Sequence, residues 1–248
     1  ISIDNLIIEL NESENKKKFG ANISLGLSLA VCKSCASFLK KPLYVHINDL
    51  LKDLFKLNAE MSLPLPMMNI LNGGAHANNG LDFQEFMIQP IGFSSFKEGL
   101  ICGVEIFTAL KETLNEKGFS TAVGDEGGFA PEINSSEEAL DLISKAISTS
   151  GYELEKDVTF ALDCAATEIF TEGAYNFSNN KKLNSKELVD YLISLNTNYP
   201  ISSIEDGLDE DDWEGWKLLT EKLGNKTQLV GDDLFVTNKN ILKKGIKE

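Results

Sequence analysis

Val158-Thr-Phe-Ala-Leu-Asp163, Ile201-Ser-Ser-Ile-Glu205 and Gln228-Leu-Val-Gly-Asp232 are three short apolar runs, each closing on an acidic residue. Runs of this length read as strands. Between them, Leu188, Tyr191, Leu192 and Leu195, then Trp213, Trp216, Leu219 and Leu223, recur at helical spacing. Strand and helix in alternation with short connections predict an α/β fold with parallel strands, which a barrel or an open sheet would satisfy equally. Ligands of such folds bind at the carboxyl ends of the strands, so Asp163, Glu205 and Asp232 can converge there. Three carboxylates together make an oxygen-only donor set, which suits a hard cation such as Mg²⁺; zinc would call for His or Cys.

Working outward, Ser62 to Leu71 and Gln84 to Ile91 form two more strand candidates around the Gly/Asn-rich stretch Asn72 to Gly80. Two helices follow, each opened by a Ser-x-x-Glu capping box, Ser95 with Glu98 and Ser135 with Glu138. Residues 1–58 differ: three apolar helical repeats and no strand signal, which places a domain boundary at residues 58–59. Lys16 to Lys18 read as a solvated loop. Cys32 and Cys35 form a C-x-x-C inside an Ala-rich helical run, with no second pair to complete a metal site, and read as buried helix packing. Asp209 to Asp212 precede a Trp-containing helix and serve its N-terminus.

The 248 residues carry a formal net charge of −15, with 42% hydrophobic and 25% charged residues. That charge excludes a nucleic-acid backbone as the expected partner. No window reads as a bilayer span and no signal sequence opens the chain, so neither membrane association nor export is expected, and four cysteines fit a reducing cytoplasm. The start at Ile1, directly in a helical repeat, suggests a segment of something longer.

Two loops carry further candidates. Val123-Gly-Asp-Glu-Gly-Gly-Phe129 sets Asp125 and Glu126 between glycines that permit close approach of a ligand. Asn69-Ile-Leu-Asn-Gly-Gly-Ala-His-Ala-Asn78 puts His76 on a glycine-rich loop after a strand; the other histidine, His46, lies in the third helix and reads as ordinary burial.

In order and in wording, six stretches resemble the enolase family: Leu65-Pro-Met-Met-Asn-Ile-Leu-Asn-Gly-Gly-Ala-His76, Gln84-Glu-Phe-Met-Ile-Gln-Pro90, Ala122-Val-Gly-Asp-Glu-Gly-Gly128, Leu162-Asp-Cys-Ala-Ala166, Ser203-Ile-Glu-Asp-Gly207 and Val230-Gly-Asp-Asp-Leu-Phe-Val-Thr-Asn238. The form of the motifs resembles bacterial members. The resemblance implies a partial enolase-type TIM barrel (ββαα, then βα repeats) over residues 59–248, preceded by helices of an N-terminal capping domain over 1–58. It implies reversible dehydration of 2-phosphoglycerate to phosphoenolpyruvate and, in the complete protein, a homodimer. By motif, Asp163, Glu205 and Asp232 would hold Mg²⁺, Glu126 would protonate the departing hydroxyl with Glu85 beside it, and His76 and Gln84 would contact substrate. It also implies that a serine-containing loop lies upstream, and the lysine base and a His-Arg stretch downstream, so the chain by itself is expected to be inactive. Two other readings stand beside it: another enolase-superfamily enzyme acting on a different carboxylate, and a non-catalytic binding or structural protein on the same scaffold.

Overall fold

The computed structural model describes residues 2–11, 19–124 and 126–248; the Lys16–Lys18 loop and Asp125 lie outside them. The chain divides into two compact units, Ile1–Leu63 and Pro64–Glu248. The first contains α1 (Ser2–Asn11), α2 (Gly20–Phe38) and α3 (Leu43–Phe55), with Pro42 immediately before α3 and Lys56 ending it in the left-handed conformation at φ 57°. His46 is buried within α3.

Two expectations fail on α2. Cys35 is exposed and Cys32 only half-buried, because the buried position of this helix is Ala36, and each residue turns about 100° around the axis. The helix also spans 19 residues with a mean hydropathy of 1.2, long and apolar enough by length and composition to cross a bilayer. Interspersed serines and glycines mask that run, whose only charge is Lys33.

The second unit is built on a five-stranded sheet in the order β1 (Met68–Asn72), β2 (Glu85–Pro90), β3 (Val158–Asp163), β7 (Ile201–Glu205) and β8 (Gln228–Val230). The β1–β2 and β2–β3 pairs are antiparallel, and β3–β7 and β7–β8 are parallel. β1 is shorter than the apolar run suggests, since Pro64 and Pro66 have no N–H to give a ladder. β8 stops at Val230, leaving Gly231 and Asp232 in the loop beyond it. β3 is buried along its whole length, as a central strand covered on both faces should be.

Four helices accompany the sheet: α4 (Phe96–Glu116), α5 (Ser136–Thr149), α6 (Ser185–Asn198) and α7 (Trp213–Leu223), with α8 (Lys239–Lys247) last. Ser95 and Ser135 each accept the N–H of the glutamate three residues on, and a further, fully reciprocal box forms at Asn184 and Glu187. Asp212 caps α7 through the Gly215 N–H. A small sheet of β4 (Phe170–Thr171), β5 (Ala174–Asn176) and β6 (Lys182–Leu183), unforeseen in the sequence, follows β3.

Phe86 is fully buried on β2, opposite Leu71 on one side and Leu162 on the other. Phe86→Ala is expected to destabilise the chain by about 3–5 kcal/mol in urea denaturation, since the rigid sheet cannot close over the lost ring.

Candidate active site

Strand register sets the site. Glu85 on β2 lies opposite Asp163 on β3, and Asp163 lies opposite Glu205 on β7, so three acidic residues form a row at one end of the sheet. Beyond Asp163 the chain turns at once: Ala165 adopts φ 41°, and its N–H is donated to Asp163 Oδ1 at 3.0 Å. Gln84 Nε2 donates to Asp163 Oδ2 at 3.0 Å, so its amide is directed at that carboxylate. After Glu205, Asp206 turns at φ 43°. Its buried carboxylate accepts the N–H of Asp232 at 3.1 Å and of Asp233 at 2.9 Å, which ties the loop after β8 to the end of β7. Asp232 itself is exposed, with its charge felt at Glu205.

The glycine-rich residues 126–129 dock on β1. Phe129 N–H bonds to Ile70 O at 3.0 Å, Asn72 N–H to Phe129 O at 2.8 Å, and Asn72 Nδ2 to Gly128 O at 2.8 Å. Phe107 stacks on Phe129 with centroids 4.2 Å apart. A Cβ at Gly128 would lie 2.8 Å from the β1 backbone, so this approach requires glycine, and Gly127 at φ 85° makes the reversal. Exposed Glu126 is thereby carried to His76 and Glu85. Ligand atoms of these three residues all lie within 4.8 Å of one another, with His76 Nδ1 3.4 Å from Glu85 Oε1. Among the described residues, Asp163, Glu205 and Asp232 do not form so close a group; the first two end β3 and β7, and Asp232 lies in the loop after β8.

Comparison with known families decides what this arrangement belongs to. A domain described as "Enolase, C-terminal TIM barrel domain" matches residues 60–248, and "Enolase, N-terminal domain" matches residues 1–47. The chain belongs to the enolase family. Its antiparallel opening followed by parallel strands is part of the enolase-type barrel.

Within this enolase-family site, burial and crowding of like charge act together. Burial first, then the charges of Asp163, Asp206, Asp232 and Glu85, push the Glu205 carboxyl up to about 7. Burial raises Asp163 as well, against the Ala165 and Gln84 hydrogen bonds that lower it. Glu85 is raised by burial and by Asp163, with His76 opposing. Asp206 is pushed up to about 6, chiefly by burial. Its part was missed in the sequence, where it reads only as the neighbour of Glu205; the signal was Asp before Gly at a strand end, a pairing that tolerates left-handed backbone. A cavity of about 370 Å³ beside β8, lined by Trp213, Trp216, Leu234 and Phe235, includes none of the seven candidate residues.

A pH dependence follows. An acid whose pKa rises from 4.5 to about 7 on folding binds its proton more tightly in the native state, so stability falls as pH rises across that window. In chelator, the thermal midpoint of the chain is expected to drop between pH 5 and pH 8, and Glu205→Gln to flatten that drop. A Glu205→Gln profile as steep as the parent's would assign the effect elsewhere.

Proposed function

We propose that this chain supplies the metal-binding and acid-donating side of an enolase that interconverts 2-phosphoglycerate and phosphoenolpyruvate in the cytoplasm, as a Mg²⁺-dependent lyase. The observation that carries this reading is the meeting of Glu126, Glu85 and His76 beside a row of strand-end carboxylates. The donor chemistry fits a hard divalent cation: the nearby carboxylates repel one another, and none carries a thiol or imidazole preference. Asp163, Glu205 and Asp232 would hold the ion. When bound, Mg²⁺ supplies the positive charge that an enediolate dianion needs.

The chain's own residues account for the other half of the reaction. Dehydration removes a proton from C2 and hydroxide from C3, releasing phosphoenolpyruvate and water. The hydroxide leaves as water only if an acid delivers a proton to it. Exposed Glu126, beside Glu85, would be that acid. His76, on its glycine loop beside Glu85, would contact substrate. Homodimer formation in the complete protein belongs to the same proposal.

The test uses a protein carrying the complete enolase sequence around this chain. Turnover of 2-phosphoglycerate should require Mg²⁺, and Glu126→Gln should lower kcat by about a hundredfold or more while Mg²⁺ affinity, measured by calorimetry, stays close to the parent's. Asp163→Ala should do the reverse, weakening Mg²⁺ binding first. A parent protein inert toward 2-phosphoglycerate but active on another hydroxy acid would replace this substrate, and near-normal kcat in Glu126→Gln would reassign the acid.

A further inference from the structure

We infer that Asp82 and Ser178 form a latch that positions the His76 loop by anchoring it to the turn between β5 and β6. This inference rests on the substrate-contacting role proposed above for His76. The two residues are far apart in sequence, yet the Ser178 N–H donates to Asp82 Oδ1 at 2.6 Å. The Ser178 hydroxyl donates to Gly80 O at 2.9 Å and lies 3.3 Å from Asp82 Oδ2. One short turn thus holds both a side chain and a backbone carbonyl of the segment 80–82.

That segment is the floor of the His76 loop. Gly74 N–H bonds to Leu81 O at 2.9 Å, Gly73 N–H to Gln84 O at 2.9 Å, and His76 N–H closes the single helical turn on Gly73 O at 3.0 Å. A Cβ at Gly73 would lie 2.4 Å from Leu81 Cβ and Phe83 O, so loop and floor are in direct contact. Displacing residues 80–82 therefore displaces the backbone that carries His76. Asp82 also stands two positions before Gln84, whose amide is directed at Asp163.

Two kinds of contact join the turn to this floor, and they differ in what they fix. Phe83, Phe177 and Tyr191 pack ring against ring at 5.8–6.2 Å, with Phe83 fully buried. Such packing holds the two segments together but leaves them free to slide. A carboxylate accepting a backbone N–H is directional and fixes the register. The aromatic pin would therefore preserve the fold when the latch is cut, and the loss would fall on the placement of His76.

The experiment compares Asp82→Ala, Asp82→Asn and Ser178→Ala in a protein with the complete enolase sequence. Two readouts are needed: amide hydrogen exchange, and KM and kcat for 2-phosphoglycerate with Mg²⁺. Asp82→Ala is expected to speed exchange at Gly74 and His76 about tenfold, the loss of one charge-assisted hydrogen bond, with β3 amides unchanged. KM should rise by a similar factor with kcat nearly kept, because Glu126 is held by a different segment. Asp82→Asn, which retains an acceptor for the N–H, should restore part of both. Ser178→Ala, at an exposed position, removes only the hydroxyl bond and should give a smaller shift in the same direction; it serves if Asp82→Ala does not fold. Faster exchange at 177–181 with Gly74 and His76 unaffected would overturn the latch, as would loosened loops with unchanged KM in an active enzyme. An enzyme inert toward 2-phosphoglycerate would instead remove the lyase reading and leave exchange alone to decide the latch.

Discussion

Repulsion between carboxylates aligned at the ends of β2, β3 and β7 is the constraint to which the surrounding structure answers. Backbone ladders place Glu85, Asp163 and Glu205 on adjacent strands, whose usual spacing is about 4.8 Å, in a half-buried setting where like charges interact strongly. Register cannot slip freely to relieve this, because a one-residue shift would exchange the side chains that β3 packs on its two covered faces. Relief comes from donors instead. Asp163 accepts from Ala165 and Gln84, Glu85 faces His76, and Asp206 accepts two successive loop N–H groups.

The loops that carry His76 and Glu126 reach the row through glycine. Gly73 touches the segment 81–83, Gly124 lies against Asn72, and Gly128 lies against β1; a methyl group at any of them would overlap its neighbour. Close packing of backbone on backbone lets a flexible-looking sequence hold Glu126 and His76 in fixed relation to the strands. Loop chemistry and strand electrostatics are thus one arrangement.

The sequence revealed most where one physical signal dominated. β3 and β7 end where their apolar runs end, since burial and strand formation coincide there. β8 ends before the acidic residue because Gly231 breaks the run. The β4–β5–β6 sheet has strands of two or three residues, too short for any periodicity to register, and it forms because the buried Tyr175 ring and its hydroxyl, bonded to Asp212, anchor it. The Asn184 cap lacks the Ser-x-x-Glu signature, although asparagine presents the same acceptor. The convergence of His76, Glu85 and Glu126 could not be read from spacing, because it depends on a turn crossing onto β1. It entered through family resemblance, and the hydrogen bonds of Asn72 and Phe129 supply its physical cause.

Glu205 and Asp206 show why residue type alone cannot assign a role. They are adjacent, both acidic and both raised by burial. What separates them is how their charge is met. Asp206 turns inward, and its two oxygens each take a backbone N–H, so its charge is used in fixing the loop that carries Asp232. Among the described residues no N–H is aimed at the Glu205 carboxylate, which instead faces four other acids. Asp206 is thus engaged in holding the loop, whereas Glu205, left among like charges, gains most from a cation. Between these two neighbours the deciding property is the set of donors around each oxygen, which belongs to the fold and not to the letter in the sequence.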